Sequence, residues 1–162
     1  MQKAHGLDLA DARPVLATLA VKYDQAKEEK ESGWQVTGLA GEFFVAGELL
    51  KRNLQTSITF GNAKAIDIFA HSEESGVTYT VQVKSLRSKK YFPFKRSAIV
   101  ESHVYVFVIL NKPEVAVDYF VIQGTALANA EGDLAKYLDD PKFPGIGWRT
   151  LEPYRNNWGV FV

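Results

Sequence analysis

The sequence predicts an α/β domain, and three observations carry that expectation. After Thr37, Leu39, Phe43, Ala46 and Leu50 recur at helical spacing. Tyr79, Val81 and Val83 alternate with Thr80, Gln82 and Lys84, the period of a half-buried strand. Val104 to Leu110 is apolar throughout, as in a central strand covered on both faces.

Asp11-Ala12-Arg13-Pro14 marks a first helix, since proline is tolerated in a first turn. Leu16, Leu19, Ala20 and Tyr23 continue it; the solvated run Lys27 to Glu31 and Gly33 are expected to end it. Thr37 then caps a second helix, Gly38 to Arg52, with Leu39, Phe43, Ala46 and Leu50 as its apolar stripe. Glu42 sits beside that stripe, on the shoulder shared with Val45 and Leu49. Gly38, Gly41 and Gly47 weaken this helix, so a neighbouring strand or a ligand is expected to approach closely.

A three-strand meander follows. Thr56 to Phe60 alternates weakly, and Gly61-Asn62 is a turn signal. Ala65 to Ala70 places Ile66, Ile68 and Ala70 on one face, Asp67 and Phe69 on the other. Glu73 to Gly76 turns the chain into the strand Val77 to Ser85. Residues 86–102 read as irregular, basic and aromatic. Beyond Val104 to Leu110, Ala116 to Ile122 returns as a partner strand, Thr125 to Leu138 reads as a helix, and the aromatic tail Trp148 to Val162 is expected to pack.

A length of 162 residues fits one domain. We divide it into an N-terminal helical extension (1–36), a core (37–125) and a C-terminal helix and tail (126–162). The chain has no cysteine, which excludes disulfides, thiolate zinc sites and a cysteine nucleophile. Without an apolar run after Met1 or a stretch near the roughly 18 apolar residues of a bilayer span, a cytoplasmic protein with no membrane partner is expected. The net charge is zero, which argues against coating DNA nonspecifically. Locally the balance differs: Lys84, Arg87, Lys89, Lys90, Lys95 and Arg96 crowd one segment without an acid among them, whereas Glu131 to Asp140 leans acidic.

Asp67 is an acid inside an Ile-Asp-Ile-Phe strand, where burial without a partner is costly. Gln82 and Lys84 project from one face of their strand, about 7 Å apart. Pairing of the two strands through the turn at 73–76 can bring Asp67 to that face, and Glu42 can approach from the helix. A carboxylate, an amide oxygen and an ammonium together suit phosphodiester hydrolysis. Mg²⁺ prefers few protein oxygens plus water and phosphate, the metal polarises a phosphoryl oxygen and acidifies bound water, and a lysine offsets developing charge. A plain Asp67–Lys84 ion pair is the competing reading.

The order Glu42, then Ala65-Ile66-Asp67-Ile68, then Val81-Gln82-Val83-Lys84 resembles the PD-(D/E)XK nuclease superfamily. The phrases Gly41 to Ala46, Gly61 to Asp67 and Val81 to Ser85 are similar to small bacterial endonuclease-like proteins of that superfamily. The resemblance spans roughly residues 37–125. It implies a restriction-endonuclease-like core, a mixed β-sheet of about five strands flanked by helices. It makes Asp67 the metal-binding Asp, Gln82 the second acid of the motif, Lys84 its lysine and Glu42 the acid some members carry on the first core helix. Ile66 stands where many members have proline, and Gln82 removes one negative charge from the site.

The implied activity is that of a Mg²⁺- or Mn²⁺-dependent deoxyribonuclease. Asp67 and Gln82 would hold the metal with the Val83 carbonyl, Glu42 would hold a water or second metal, and Lys84 would position or activate the nucleophile. Relatives often pair to reach two strands, which suggests a homodimer. Arg87, Lys89, Lys90, Lys95 and Arg96, interleaved with Tyr91, Phe92 and Phe94, follow as nucleic-acid-binding candidates, the cations for phosphates and the rings for unpaired bases or for the core. His71 and His103 lack partners at metal-ligand spacing and read as structural. Two alternatives stay open, a noncatalytic nucleic-acid-binding module of the same fold and an interaction protein of a toxin or defence system.

Overall fold

The computed structural model describes residues 9–59 and 66–161, with only the backbone for residues 9–19. The turn at Gly61-Asn62 lies outside the described residues. Contacts divide the chain into two units, Met1–Val36 and Thr37–Val162.

Helix α1 runs Leu9–Leu50, where the sequence suggested a stop at Gly33 and a new start at Thr37. One glycine costs a helix only about 1 kcal/mol. The Lys- and Glu-rich run before it favours helix, and Lys30 lies over the Trp34 ring one turn on, at 5.1 Å. Thr37 is no cap; its hydroxyl accepts a hydrogen bond from Arg87 Nε at 3.0 Å.

The second unit is α/β, with strands β1 (Gln55–Ile58), β2 (Ile68–His71), β3 (Thr78–Leu86), β4 (Tyr91–Pro93), β5 (His103–Ile109), β6 (Asp118–Gln123) and β7 (Gly145–Gly147). A mixed five-stranded sheet takes five of them in the order β1-β2-β3-β5-β6. The β1-β2-β3 meander is antiparallel, β3 and β5 are parallel, and β6 returns antiparallel to β5. The crossover from β3 to β5 carries β4 (Tyr91–Pro93) and a 3-10 turn at Arg96–Ala98, so the stretch that reads as irregular is partly ordered. β4 pairs with β7 (Gly145–Gly147) in a separate two-stranded sheet. In place of one helix at 125–138 stand α2 (Gly124–Ala128) and α3 (Gly132–Ala135), divided at Gly132, whose φ of 60° breaks the helical run.

Side-chain alternation gives the sheet two apolar faces. On one, Ile68, Ala70, Val81, Val83, Val104, Val106 and Val108 pack with Val45, Ala46 and Leu49 of α1 and with Trp158 and Phe161 of the tail. On the other, Tyr105, Phe107, Ile109, Phe120 and Ile122 pack with Phe92, Phe94 and the C-terminal segments. Every residue of β5 is buried, as a central strand requires.

The face of α1 turned to the sheet is the shoulder, not the expected stripe. Of the expected stripe Leu39, Phe43 and Leu50 are exposed and Ala46 is buried, whereas the shoulder residues Val45 and Leu49 are fully buried. The cause is close packing at Gly41, where an added Cβ would overlap the Ser85 hydroxyl. A helix can approach a strand this closely only along its smallest side chains. Gly38 and Gly47 have nothing within 4 Å, so of the three helix glycines Gly41 alone serves the approach the sequence suggested.

Candidate active site

Asp67 stands immediately before β2, at a break in the ladder. Its N–H donates to the Val81 carbonyl at 3.0 Å, although Val81 is the register partner of Ile68. Two residues therefore face one, the pattern of a β-bulge, a device that re-aims a side chain. The carboxylate turns to β3, where Oδ2 accepts a hydrogen bond from the Val83 N–H at 2.8 Å. On the other side of Asp67, its carbonyl accepts from the Thr59 N–H at 2.9 Å, and the Thr59 hydroxyl reaches the Ile66 carbonyl at 2.5 Å. The half-buried acid is thus fixed from both flanking strands.

An extended residue points its N–H and C=O to the same side. The Val83 N–H faces Asp67, so the Val83 carbonyl opens to that same edge of β3. Gln82 and Lys84 flank Val83 and project to the opposite apolar face, in register with Tyr105 and Phe107. Both are half-buried. Glu42 is half-buried on α1 beside Gly41, which lies against Ser85 and Val83; its Oε2 is buried. The structure therefore joins the Asp67 carboxylate to the β3 backbone between Gln82 and Lys84. It places α1, with Glu42, against the face opposite these two side chains. Among the described residues no three His, Cys, Asp or Glu side chains cluster as metal ligands; the oxygens here come from one acid, one amide and one backbone carbonyl.

Gln82 and Lys84 open into a cleft of about 950 Å³. Neither Asp67 nor Glu42 lines it. Its far wall comes from Tyr91 to Ala98 and from Tyr137 to Pro144. Lys95 and Lys142 line it together with Lys84, so three of its residues are cations.

The basic segment divides by use. Arg96 is committed to structure: Nε meets both Asp139 carboxylate oxygens at 3.0 and 2.9 Å, and its other nitrogens reach the Ala128 and Ala130 carbonyls. Arg87 holds Thr37. Lys89 lies 3.6 Å from Asp118 and over the Trp148 ring. Lys90 and Lys95 are exposed. Phe92 and Phe94 are core residues, while Tyr91 lines the cleft. His71 Nδ1 pairs with the Thr78 hydroxyl at 2.9 Å, and His103 is buried at the start of β5.

The far wall from Tyr137 to Pro144 lies outside the residues that the sequence singles out; its first part, to Asp140, falls in the stretch that leans acidic, and in Asp140-Pro141-Lys142-Phe143-Pro144 an aromatic beside a lysine stands between two prolines. An aromatic in a turn was the signal available.

No family model matches the chain, and no curated protein matches it. Among solved structures, the chain is similar to a bacterial homing endonuclease, I-Ssp6803I, with a TM-score of 0.52 and 15% sequence identity. The likeness covers 78% of this chain and 89% of that one. It shows that the two chains share a fold. No helix among the described residues is long and apolar enough to cross a membrane.

Proposed function

We propose that this chain is a metal-dependent DNA endonuclease of the PD-(D/E)XK kind. The observation that carries the reading is the Asp67 carboxylate seated on the Val83 N–H, at the strand whose next residues on either side are Gln82 and Lys84. The carboxylate and the Val83 carbonyl then share one edge of β3, an arrangement that suits a hard cation. The nuclease-like fold, shared with a homing endonuclease, supports the same reading.

The donor set fits a hard dication. Asp67, the Val83 carbonyl and the Gln82 amide oxygen would hold Mg²⁺ or Mn²⁺, with one negative charge and neutral oxygens, leaving the remaining positions to water and phosphate. When bound, the ion supplies polarisation of the phosphoryl group and a more acidic water. Lys84 presents positive charge to the scissile phosphate from the strand that carries Gln82. Glu42 stands on α1, against the sheet face opposite Gln82 and Lys84, and takes no part in this donor set.

The test is incubation of the protein with duplex and single-stranded DNA under Mg²⁺, Mn²⁺ or EDTA, beside Asp67→Asn and Lys84→Ala. Metal-dependent cleavage lost in both variants is the expected result. The neutral Gln82 favours one second reading, a domain that binds nucleic acid without turnover. Salt-sensitive binding with no cleavage under any metal would select it.

A further inference from the structure

The wall of the cleft opposite Gln82 and Lys84 is tied together by hydrogen bonds. Asp140 Oδ1 accepts hydrogen bonds from the N–H groups of Lys142 and Phe143 at 2.8 and 2.7 Å. The Tyr91 hydroxyl donates to the Phe143 carbonyl at 2.5 Å. The Phe94 N–H reaches the Pro144 carbonyl, and Asp139 is held by the Arg96 guanidinium. The two backbone hydrogen bonds hold the Asp140 carboxyl below its ordinary value. Burial, then the charge of Asp140, pushes the Tyr91 phenol up, which keeps it a donor.

This scaffold presents an aromatic ring to solvent. Phe143 is 77% exposed, the most exposed large hydrophobic residue among those described, and Tyr137 beside it is 41% exposed. Both line the same cleft as Lys84, Lys95 and Lys142. An exposed phenyl ring on a backbone held in this way costs hydration free energy and contributes nothing to the core. Rings that share a cleft with three lysines, and with an Asp140 carboxylate already engaged by two backbone N–H groups, match one ligand chemistry closely. A nucleotide offers a flat apolar face at one end and an anionic phosphate at the other. Duplex DNA keeps its base faces stacked inside, so only an unpaired nucleotide presents both.

We propose that this cleft seats one unpaired nucleotide of a DNA strand. The base stacks on Phe143 beside Tyr137, and the flanking phosphate lies between Lys95 and Lys142. The seat opens onto Gln82 and Lys84, so under the nuclease reading, on which this last step rests, cleavage falls next to the unpaired position. The substrate class is then DNA with a single-stranded or extruded nucleotide, not continuous duplex.

Binding measured in EDTA tests the seat independently of cleavage. Fluorescence anisotropy compares a single strand, a perfect duplex and a duplex with one unpaired nucleotide. The wild-type chain is expected to prefer the two DNAs with unpaired bases. Phe143→Ala should weaken these about ten-fold while leaving the duplex unchanged, and Phe143→Trp should keep the preference. Lys142→Gln should weaken all three and reduce the salt dependence of binding by about one charge. Equal binding of all three DNAs by the wild type, or a preference that survives Phe143→Ala, would overturn the proposal. Cleavage of the same DNAs under Mg²⁺ reads the nuclease assignment separately. Phe143-dependent binding without cutting keeps the seat and removes the nuclease. Cutting that is indifferent to Phe143 does the reverse.

Discussion

Gly41 of α1 lies against Ser85 of β3 so closely that a Cβ at residue 41 would overlap the serine side chain. This contact sets the depth at which α1 sits on the sheet and buries Val45 and Leu49. Gly41→Ala should therefore destabilise the protein by about 1–3 kcal/mol, because the helix must lift or the strand must shift. Gly47→Ala, with open space around it, should instead stabilise by up to about 1 kcal/mol through helix propensity. Urea unfolding of both variants checks the pair. Equal effects of the two substitutions would mean that helix propensity, not packing, governs residue 41.

Asp67 contributes to the fold as well as to the candidate site, and two substitutions separate the roles. Asp67→Ala leaves the Val83 N–H without its acceptor, a loss of about 1–2 kcal/mol for a half-buried amide. Asp67→Asn keeps an oxygen for that N–H and removes the charge. Its stability should stay within about 1 kcal/mol of the parent while metal-dependent cleavage disappears. Chemical denaturation beside a cleavage assay decides the matter. Full activity in a stable Asp67→Asn protein would remove Asp67 from the chemistry.

The sheet was legible in the sequence because its signals are local and strong. The alternation of Tyr79 to Lys84 gave β3, and the unbroken apolar run gave the fully buried β5. The orientation of α1 was not legible from periodicity, since Leu39, Phe43, Ala46 and Leu50 form one apolar stripe and Val45 and Leu49 a shoulder beside it, and of the stripe Ala46 is the residue that is buried. Burial chose the second through Gly41, a contact with a residue 44 positions away. Asp67 was legible as an anomaly, but the bulge that aims it at Val83 was not, because register depends on both strands. The far wall of the cleft was invisible for the same reason. Residues of Tyr137 to Pro144 line one cleft with Gln82 and Lys84 of β3, from which they are far removed in sequence.

A second electrostatic knot, away from the site, fastens the tail to the sheet. Asp118 of β6 meets Arg155 at 2.5 Å and Lys89 at 3.6 Å, and accepts from Asn111 Nδ2 at 3.2 Å; Arg155 also binds Glu152. Burial works to raise the Asp118 carboxyl, but the hydrogen bonds from Arg155 and Asn111 and the nearby cations outweigh it and hold it below its ordinary value. A carboxyl lowered on folding adds stability that is complete above the ordinary carboxylate range and is lost as pH falls through the lowered value. Thermal midpoints measured from neutral pH downward should fall steeply below about pH 4. Asp118→Asn should lose about 1 kcal/mol at pH 7 and flatten that fall. A parallel acid profile in the variant would show that Asp118 does not carry the transition.

Gln82 is the position where the site departs from the acid of the superfamily it resembles. It flanks Val83, whose backbone holds Asp67, so a charge there lies one residue from the proposed ligands. A neutral amide attracts a hard dication less than a carboxylate does. Gln82→Glu should therefore tighten Mg²⁺ binding, by about ten-fold if the new carboxylate reaches the ion. Calorimetric Mg²⁺ titration of both proteins without DNA reads the effect. Equal or weaker Mg²⁺ binding in the Gln82→Glu protein would show that residue 82 does not face a metal, and the binding-without-turnover reading would then be the better one.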